Sequence, residues 1–329
     1  MTRYVIIGAG AAGGTLAAQA HAAGIDHVLV ARGESLTAIR DRGLTFSRPS
    51  GTRQAAVDVV GGPDEVELTS DDVLVLTTKA QHAEVALQQW AWQPVDGGGW
   101  TAPESLPVLT PQNGLDTERV ALRRFDLVYG VSIWLPGHHV RPGDVTNGGP
   151  DRIGTAWIGR YPSGATEDPR LAGIVADLGR LEIVTQVVDD IVRWKAAKLL
   201  GNLSNALDVL SGAEGDDLAR AKALLESEAR EVLIAAGVEP ADDATEITVD
   251  RGQAPLEVGD YIPSNKSTWQ SLARGAGSVE TDFLNGEIVL LGRLHGVKTP
   301  VNTRLQALVS SSASDADAIG RHSIDDLLR

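Results

Sequence analysis

The chain of 329 residues contains no cysteine and a single methionine. The first absence removes disulfides, thiolate metal sites and cysteine nucleophiles from consideration. Only 4% of the residues are aromatic, and no apolar run nears the roughly 18 residues of a membrane-crossing helix. The short apolar stretch at the start is broken by glycines, unlike a secretory signal, so a cytoplasmic protein is expected. The 7 histidines show no metal-ligand spacing, since the neighbours His138 and His139 do not converge on one ion. Neither GxSxG nor HExxH occurs, so no metal and no serine nucleophile are expected. Positive charge is scarce too: 29 Lys and Arg stand against 44 Asp and Glu, a formal net charge of -15. Such a balance argues against nucleic acid and anionic membranes as partners. An anionic ligand must then be held by local cations, and Arg32, Lys79, Lys195, Lys198 and Arg274 are the candidates near motifs.

Glycine is plentiful, 36 residues, and its first cluster is placed for chemistry. The apolar run Tyr4-Val5-Ile6-Ile7 leads into Gly8-Ala9-Gly10-Ala11-Ala12-Gly13, and a small-residue helix follows. Strand, GxGxxG turn and helix in this order suit a dinucleotide pyrophosphate. Gly8 makes the tight turn and Gly10 lets backbone approach the phosphates. Gly13 lets helix and strand pack closely, so that the helix amides and dipole face the negative charge. An NAD site would carry Asp or Glu at the end of the next strand, His27–Ala31, for the ribose 2′-hydroxyl. This chain has Ala31-Arg32 there. A guanidinium suits a 2′-phosphate, and the missing carboxylate removes a repulsive charge, so NADP(H) is expected.

The first half alternates strand-like and helix-like segments, the pattern of a parallel α/β sheet. Strands are predicted at Arg3–Ile7, His27–Ala31, Ala56–Val60, Val73–Thr77, Leu106–Thr110, Asp126–Ile133, Arg152–Gly159 and Glu182–Val187. Helices are predicted at Ala11–Ala23, Ser35–Asp41, Gln81–Trp92 and Thr117–Arg124. The run Asp96-Gly97-Gly98-Gly99 reads as a surface loop, because no strand feeds it. Beyond Val188 the chain turns helical: Val188–Leu210, Asp217–Ala236, Ser267–Arg274, Glu280–His295 and Asn302–Ser310. The expected architecture is therefore α/β, a Rossmann-type parallel sheet domain over 1–187 followed by an all-helical domain over 188–329.

Three further segments could carry chemistry. At 100° per residue, Lys195, Lys198, Asn202 and Asn205 share one face of a predicted helix, a stripe of ammonium and carboxamide groups suited to a carboxylate and a carbonyl. Asparagine and glycine are poor helix-interior residues, so propensity does not explain this composition. Ser267-Thr268-Trp269-Gln270 and Glu280-Thr281-Asp282 read as helix starts, Ser267 as a cap and the acids through the dipole. Glu280 could equally orient a lysine or a substrate hydroxyl. Thr77-Thr78-Lys79 and Pro111-Gln112-Asn113-Gly114 each follow a predicted parallel strand, where ligands of open α/β sheets bind.

Taken in order, GAGAAGG, TKA, PQNG, KLLGN, SxxQ, ETDFLNG and HGVKTP resemble the ketopantoate reductase (2-dehydropantoate 2-reductase) family along nearly the whole chain. The resemblance implies reduction of a 2-oxo acid to a 2-hydroxy acid by NADPH in a cleft between a Rossmann domain and a helical domain, with a homodimer left open. It implies Lys198 as general acid, Asn202 as positioner, and Glu280 as the carboxylate that binds a substrate hydroxyl. Ser267 would hold the substrate carboxylate, with Asn205 as a further substrate contact. Asn113 would lie between substrate and cofactor, and Lys79 and Glu280 beside the cofactor with Gly8, Ala9, Gly10, Ala11, Ala12, Gly13 and Arg32. The chain departs from the pattern in three places. Ala206 stands where the family's second asparagine is usual, with Asn205 one residue early and pointing elsewhere. One extra residue falls between Ser267 and Glu280, and Val279 replaces the usual threonine. All three departures concern the substrate pocket. They keep open a related reductase acting on another ketoacid or imine, and a non-catalytic NADPH-binding sensor.

Overall fold

Eight strands make the principal sheet of the computed structural model: β1 (Arg3–Ile7), β2 (His27–Val30), β3 (Val59–Val60), β4 (Asp72–Leu76), β5 (Val108–Thr110), β6 (Val128–Trp134), β7 (Gly154–Arg160) and β8 (Ile183–Val187). The structure describes residues 2–96, 101–139, 141–164, 168–259, 262, 266–273, 275, 277–315 and 317–329. The predicted Gly97-Gly98-Gly99 loop and Arg274 lie outside them. The strand order is β8-β7-β6-β5-β4-β1-β2-β3. Pairing is parallel throughout except for β6 with β7, which is antiparallel. The chain thus builds outward from β1 to β3, returns, and builds the other way from β4. The reversal lies between β1 and β4, the place where such sheets open a ligand crevice.

The near-continuous apolar strands are explained by burial on both faces. Tyr4 and Ile6 pack into one core with Leu16 and Ala17 of the Ala11–Ala23 helix and Leu171, Ile174 and Leu178 of the Pro169–Arg180 helix. Val5 and Ile7, on the alternate positions, pack into another with Ala83, Leu87 and Trp90 of the Ala80–Ala91 helix. Helix Ala11–Ala23 and strand β1 have the bounds expected from sequence.

Several expected elements differ. The predicted strand Ala56–Val60 is only the two residues of β3. The chain before it forms a hairpin of Leu44–Arg48 with Gly51–Ala55, which joins Asp144–Asn147 and Gly137–His138 in a separate four-stranded sheet. That sheet packs against the Ala11–Ala23 helix: a Cβ on Gly14 would stand 2.5 Å from Val145 Cγ1. Pro169–Arg180 is a helix that the sequence reading omits. It begins with a side-chain cap, Asp168 accepting from the Arg170 N–H at 2.9 Å, and a proline in its first turn, the usual start signals.

The chain divides into two units. One comprises Met1–Gln112, Thr117–Ile191 and Ile247–Pro263, the other Asn113–Asp116, Val192–Glu246 and Ser264–Arg329. Residues 247–256 lie on the first unit's sheet. The Thr248 N–H donates to Gln186 Oε1 at 3.0 Å, and the Arg251 guanidinium lies 4.7 Å from the Trp134 ring and 5.4 Å from the Trp157 ring. The second unit is helical, with Leu199, Leu203, Leu225, Val232, Ile288 and Leu305 in its core. Two expected helices are interrupted there. Val188–Leu210 is an α-helix over Ile191–Asn202 and a 3-10 turn over Leu203–Val209, and Glu280–His295 is a 3-10 turn over Glu280–Phe283 followed by the helix Asn285–His295. No helix among the described residues is long and apolar enough to cross a membrane.

Candidate active site

The first unit presents a glycine-lined cradle at the carboxyl ends of β1 and β4. Gly8 has φ +119°, a conformation that favours glycine. A Cβ on Gly13 would stand 1.8 Å from Gly8 O and 2.3 Å from Thr77 Oγ1, so no side chain fits there. The Thr77 hydroxyl lies 3.0 Å from Ile7 O and 2.8 Å from Gly8 O and pins the turn from the β4 side. Gly10 precedes the helix without a side-chain cap, and no acid lies in the first turn, which is Ala11, Ala12 and Gly13. A Cβ on Gly10 would meet nothing within 4 Å, so its backbone is open to a ligand. The helix N–H groups are left for an anion.

Around this cradle, Ala9 packs on the core as the turn passes over β1. Lys79 occupies the extended position before the Ala80–Ala91 helix. Arg32 does the same before the Gly33–Arg42 helix, is exposed, and donates from its guanidinium to Gln89 Oε1. Sequence reasoning missed that contact, because Gln89 stands far along another helix. Gln112, 5% exposed, donates from Nε2 to Leu76 O at 2.5 Å, while its Oε1 is buried with no hydrogen-bond partner. The Thr78 hydroxyl is likewise buried and unsatisfied. Unsatisfied polar atoms beside a side-chain-free cradle fit a polar ligand, and the whole arrangement fits a dinucleotide.

The second unit gathers most of the other expected residues. Lys198 is half-buried on the Ile191–Asn202 helix, and Lys195, one turn earlier, is 3% exposed. The helix stops at Asn202, so Asn205 reaches its place through the 3-10 turn and not along a continued helical face. Its Nδ2 nevertheless donates to Asn202 Oδ1 at 3.4 Å, so the two carboxamides meet and Asn205 does not point away. Asn202 Nδ2 is buried without a partner, a donor for an incoming acceptor.

Asn113 and Glu280 fall in this same unit. Gly114 has φ +83°, and a Cβ there would stand 2.5 Å from Phe283 O, so the Asn113-Gly114 turn sits directly on the Glu280–Phe283 turn. Glu280 is 5% exposed and Val279 before it is buried as well. Asp282, by contrast, is a tether, its Oδ1 accepting from Gln306 Nε2 and Ser310 Oγ, each at 2.9 Å. Behind the turn Asn285 Nδ2 donates to Asn302 Oδ1 at 3.0 Å, and Asn302 Nδ2 donates to Glu228 Oε2 at 2.9 Å. Asn285 of the ETDFLNG motif and Asn302, two residues beyond HGVKTP, thus belong to a buried network behind that turn. Ser267 opens the Ser267–Ala273 helix but does not cap it from outside: the first helical bond runs from the Gln270 N–H to Lys266 O at 3.1 Å.

Comparison with known proteins adds to this geometry. Residues 4–163 match the family model described as ketopantoate reductase PanE/ApbA, and residues 190–313 match that of its C-terminal part. The chain is 26% identical to a 2-dehydropantoate 2-reductase of Pyrococcus horikoshii over 95% of this chain and 98% of that protein. It is 31% identical to one of Mesorhizobium japonicum over 93% of this chain and 96% of that protein. Among solved structures, a PanE/ApbA family ketopantoate reductase of Ralstonia eutropha aligns with a TM-score of 0.75 at 25% identity, over 96% of this chain and 99% of that one. D-mandelate dehydrogenase, solved with NADH and anilino(oxo)acetate, aligns with a TM-score of 0.76 at 20% identity over 100% of both chains, a likeness of fold.

Proposed function

The chain belongs to the ketopantoate reductase family, and from that premise we propose that it reduces a 2-oxo acid to the 2-hydroxy acid with NADPH, ketopantoate being the substrate. The observation that carries this reading is the extent of the family match, which runs through residues 4–163 and 190–313. The segments for cofactor and for substrate are thus both retained. In this reading the sheet-bearing unit is the NADP-binding domain and the helical unit the substrate domain; the expected bounds 1–187 and 188–329 are modified by the passage of Asn113–Asp116 to the second and of Ile247–Pro263 to the first. The cytoplasm is the compartment, which suits a chain without cysteine.

Bound NADPH would supply the hydride from its nicotinamide ring. The chain's residues supply the rest. The backbone from Gly8 to Gly13 would hold the pyrophosphate, and Arg32 with Lys79 the 2′-phosphate, where a guanidinium can grip two oxygens. Gln112 and Asn113 would offer amides on the nicotinamide side. Ser267 would bind the substrate carboxylate, with Asn205 beside it. The unsatisfied Nδ2 of Asn202 would donate to the substrate and hold the carbonyl in line. As the C2 carbonyl becomes an alkoxide, Lys198 would stabilise the growing negative charge and deliver the proton to that oxygen. Glu280 would accept a hydrogen bond from the substrate hydroxyl.

A second reading, another ketoacid or an imine, draws on Ala206 and Val279. Both are buried apolar residues, 2% and 5% exposed, where the family pattern carries polar ones. A panel of 2-oxo acids followed by NADPH absorbance separates the readings. A buried carboxylate built to bind a hydroxyl rejects a substrate lacking it by a large factor. Ketopantoate should therefore exceed 2-oxoisovalerate in kcat/KM by on the order of 100-fold or more, and Glu280→Gln should shrink that ratio. Equal values would overturn ketopantoate as the substrate. NADPH binding without turnover of any panel member would overturn the enzyme in favour of a sensor.

A further inference from the structure

The 3-10 turn Leu203–Val209 packs against the Ser267–Ala273 helix. At this contact the backbone N–H of Lys266 donates to Asp208 Oδ2 at 3.0 Å. Lys266 immediately precedes Ser267, and its carbonyl accepts the first bond of the helix, from Gln270 at 3.1 Å. Inside the helix the Ser271 hydroxyl donates to Ser267 O at 3.0 Å. Ser267 is thus fixed from both sides, by Asp208 through the preceding peptide and by Ser271 through its own carbonyl. Asp208 in turn stands three residues beyond Asn205, in the turn that carries the asparagine. One carboxylate therefore links the turn that carries Asn205 to the peptide that precedes Ser267. Burial pushes the Asp208 carboxyl above its ordinary range, opposed by the Lys266 N–H and by the charges of Lys266 and Lys222.

We infer that Asp208 is a positioning residue for substrate binding, which places the Ser267 hydroxyl against the 2-oxo acid carboxylate by anchoring the Lys266 peptide. The inference rests on the reductase reading and on Ser267 as the carboxylate contact. It concerns binding alone, since Asp208 acts through Ser267 and not on the carbonyl carbon.

The test is steady-state kinetics of the full-length protein with Asp208→Ala, Asp208→Asn, Ser267→Ala and the Asp208→Ala/Ser267→Ala double variant. Asp208→Ala should raise KM for the 2-oxo acid roughly tenfold, the worth of about 1.4 kcal/mol, with kcat and the KM for NADPH within about twofold. Asp208→Asn keeps an oxygen that can accept the Lys266 N–H and should restore most of the loss. Combined with Ser267→Ala, the Asp208→Ala change should add nothing further, as expected of residues that act as one unit. If Ser267→Ala raises KM but Asp208→Ala does not, the role of Asp208 is overturned while the reductase reading stands. A multiplicative loss in the double variant, or no recovery with Asp208→Asn, overturns it equally. If Ser267→Ala leaves KM unchanged, the assignment of Ser267 falls and the inference falls with it.

Discussion

Thr77 and Gly13 interlock: the Cβ that Gly13 lacks would stand 2.3 Å from the Thr77 hydroxyl, which itself lies 2.8 Å from Gly8 O. The glycine motif is therefore completed by a threonine just past the end of β4, a strand that enters the sheet some sixty residues later, across the point where the strand order reverses. Gly13→Ala should abolish tight NADPH binding, because the methyl would overlap backbone and not a yielding side chain. Thr77→Val should be milder, costing about 1 kcal/mol of stability through the lost hydrogen bond, with a modest rise in the NADPH Kd. Fluorescence titration checks both, and normal binding by Gly13→Ala would contradict the cradle.

Arg32 should set cofactor choice. NADPH should bind more tightly than NADH, and Arg32→Ala should narrow the difference by roughly tenfold to a hundredfold, the range of about 1.5–3 kcal/mol for a hydrogen bond to a charged group. Because the guanidinium rests on Gln89, Gln89→Glu should also lower the preference by giving Arg32 a competing anion. Calorimetric titration with both cofactors decides the matter, and equal affinities in the unmodified protein would contradict it.

Lys198 and Lys195 should separate in kinetics. Lys198→Ala should lower kcat by at least the roughly 100-fold of a lost general acid, with NADPH binding nearly unchanged. Lys195, 3% exposed, should register more in Tm than in kcat. If Lys195→Ala costs the larger share of kcat, the proton donor has been assigned to the wrong turn of the helix.

His27 should make the first unit acid-sensitive. Its Nδ1–H donates to Ile25 O at 2.8 Å, and burial, the largest influence, holds the imidazole below its ordinary value of 6.5. The unfolded chain therefore binds this proton more readily than the folded one. The contribution is fully present above pH 6.5 and is lost as the pH falls through the lower folded value. His27→Gln should flatten that part of a Tm-against-pH curve, and an unchanged slope would remove His27 as its source.

What the sequence disclosed was local. Strand β1 and the helix after it were readable to the residue, since glycine punctuates both ends and the apolar run has one interpretation. The hairpin from Leu44 to Ala55 was not, because its strands Leu-Thr-Phe-Ser-Arg and Gly-Thr-Arg-Gln-Ala carry too few apolar residues for a strand pattern. The helical angle that put Asn205 on the Lys198 face was right in period but wrong in extent. The 3-10 turn after Asn202 packs against the Ser267 helix, a contact that no local pattern encodes. The site divides in the same way. Its segments were visible as motifs, whereas the Thr77 clamp, the tethering of Asp282 and the Asn285–Asn302–Glu228 network depend on partners distant in sequence.

Hydride transfer from NADPH to C2 of a 2-oxo acid can be read from the fate of an isotope on the nicotinamide ring. The protein would be supplied with ketopantoate and NADPH carrying deuterium on the transferred position of the nicotinamide ring, and the product analysed by mass spectrometry and proton NMR. The expected product is pantoate bearing one deuterium at C2, with the C2 proton resonance gone. Pantoate without deuterium, or cofactor oxidation with no 2-hydroxy acid formed, would contradict the account.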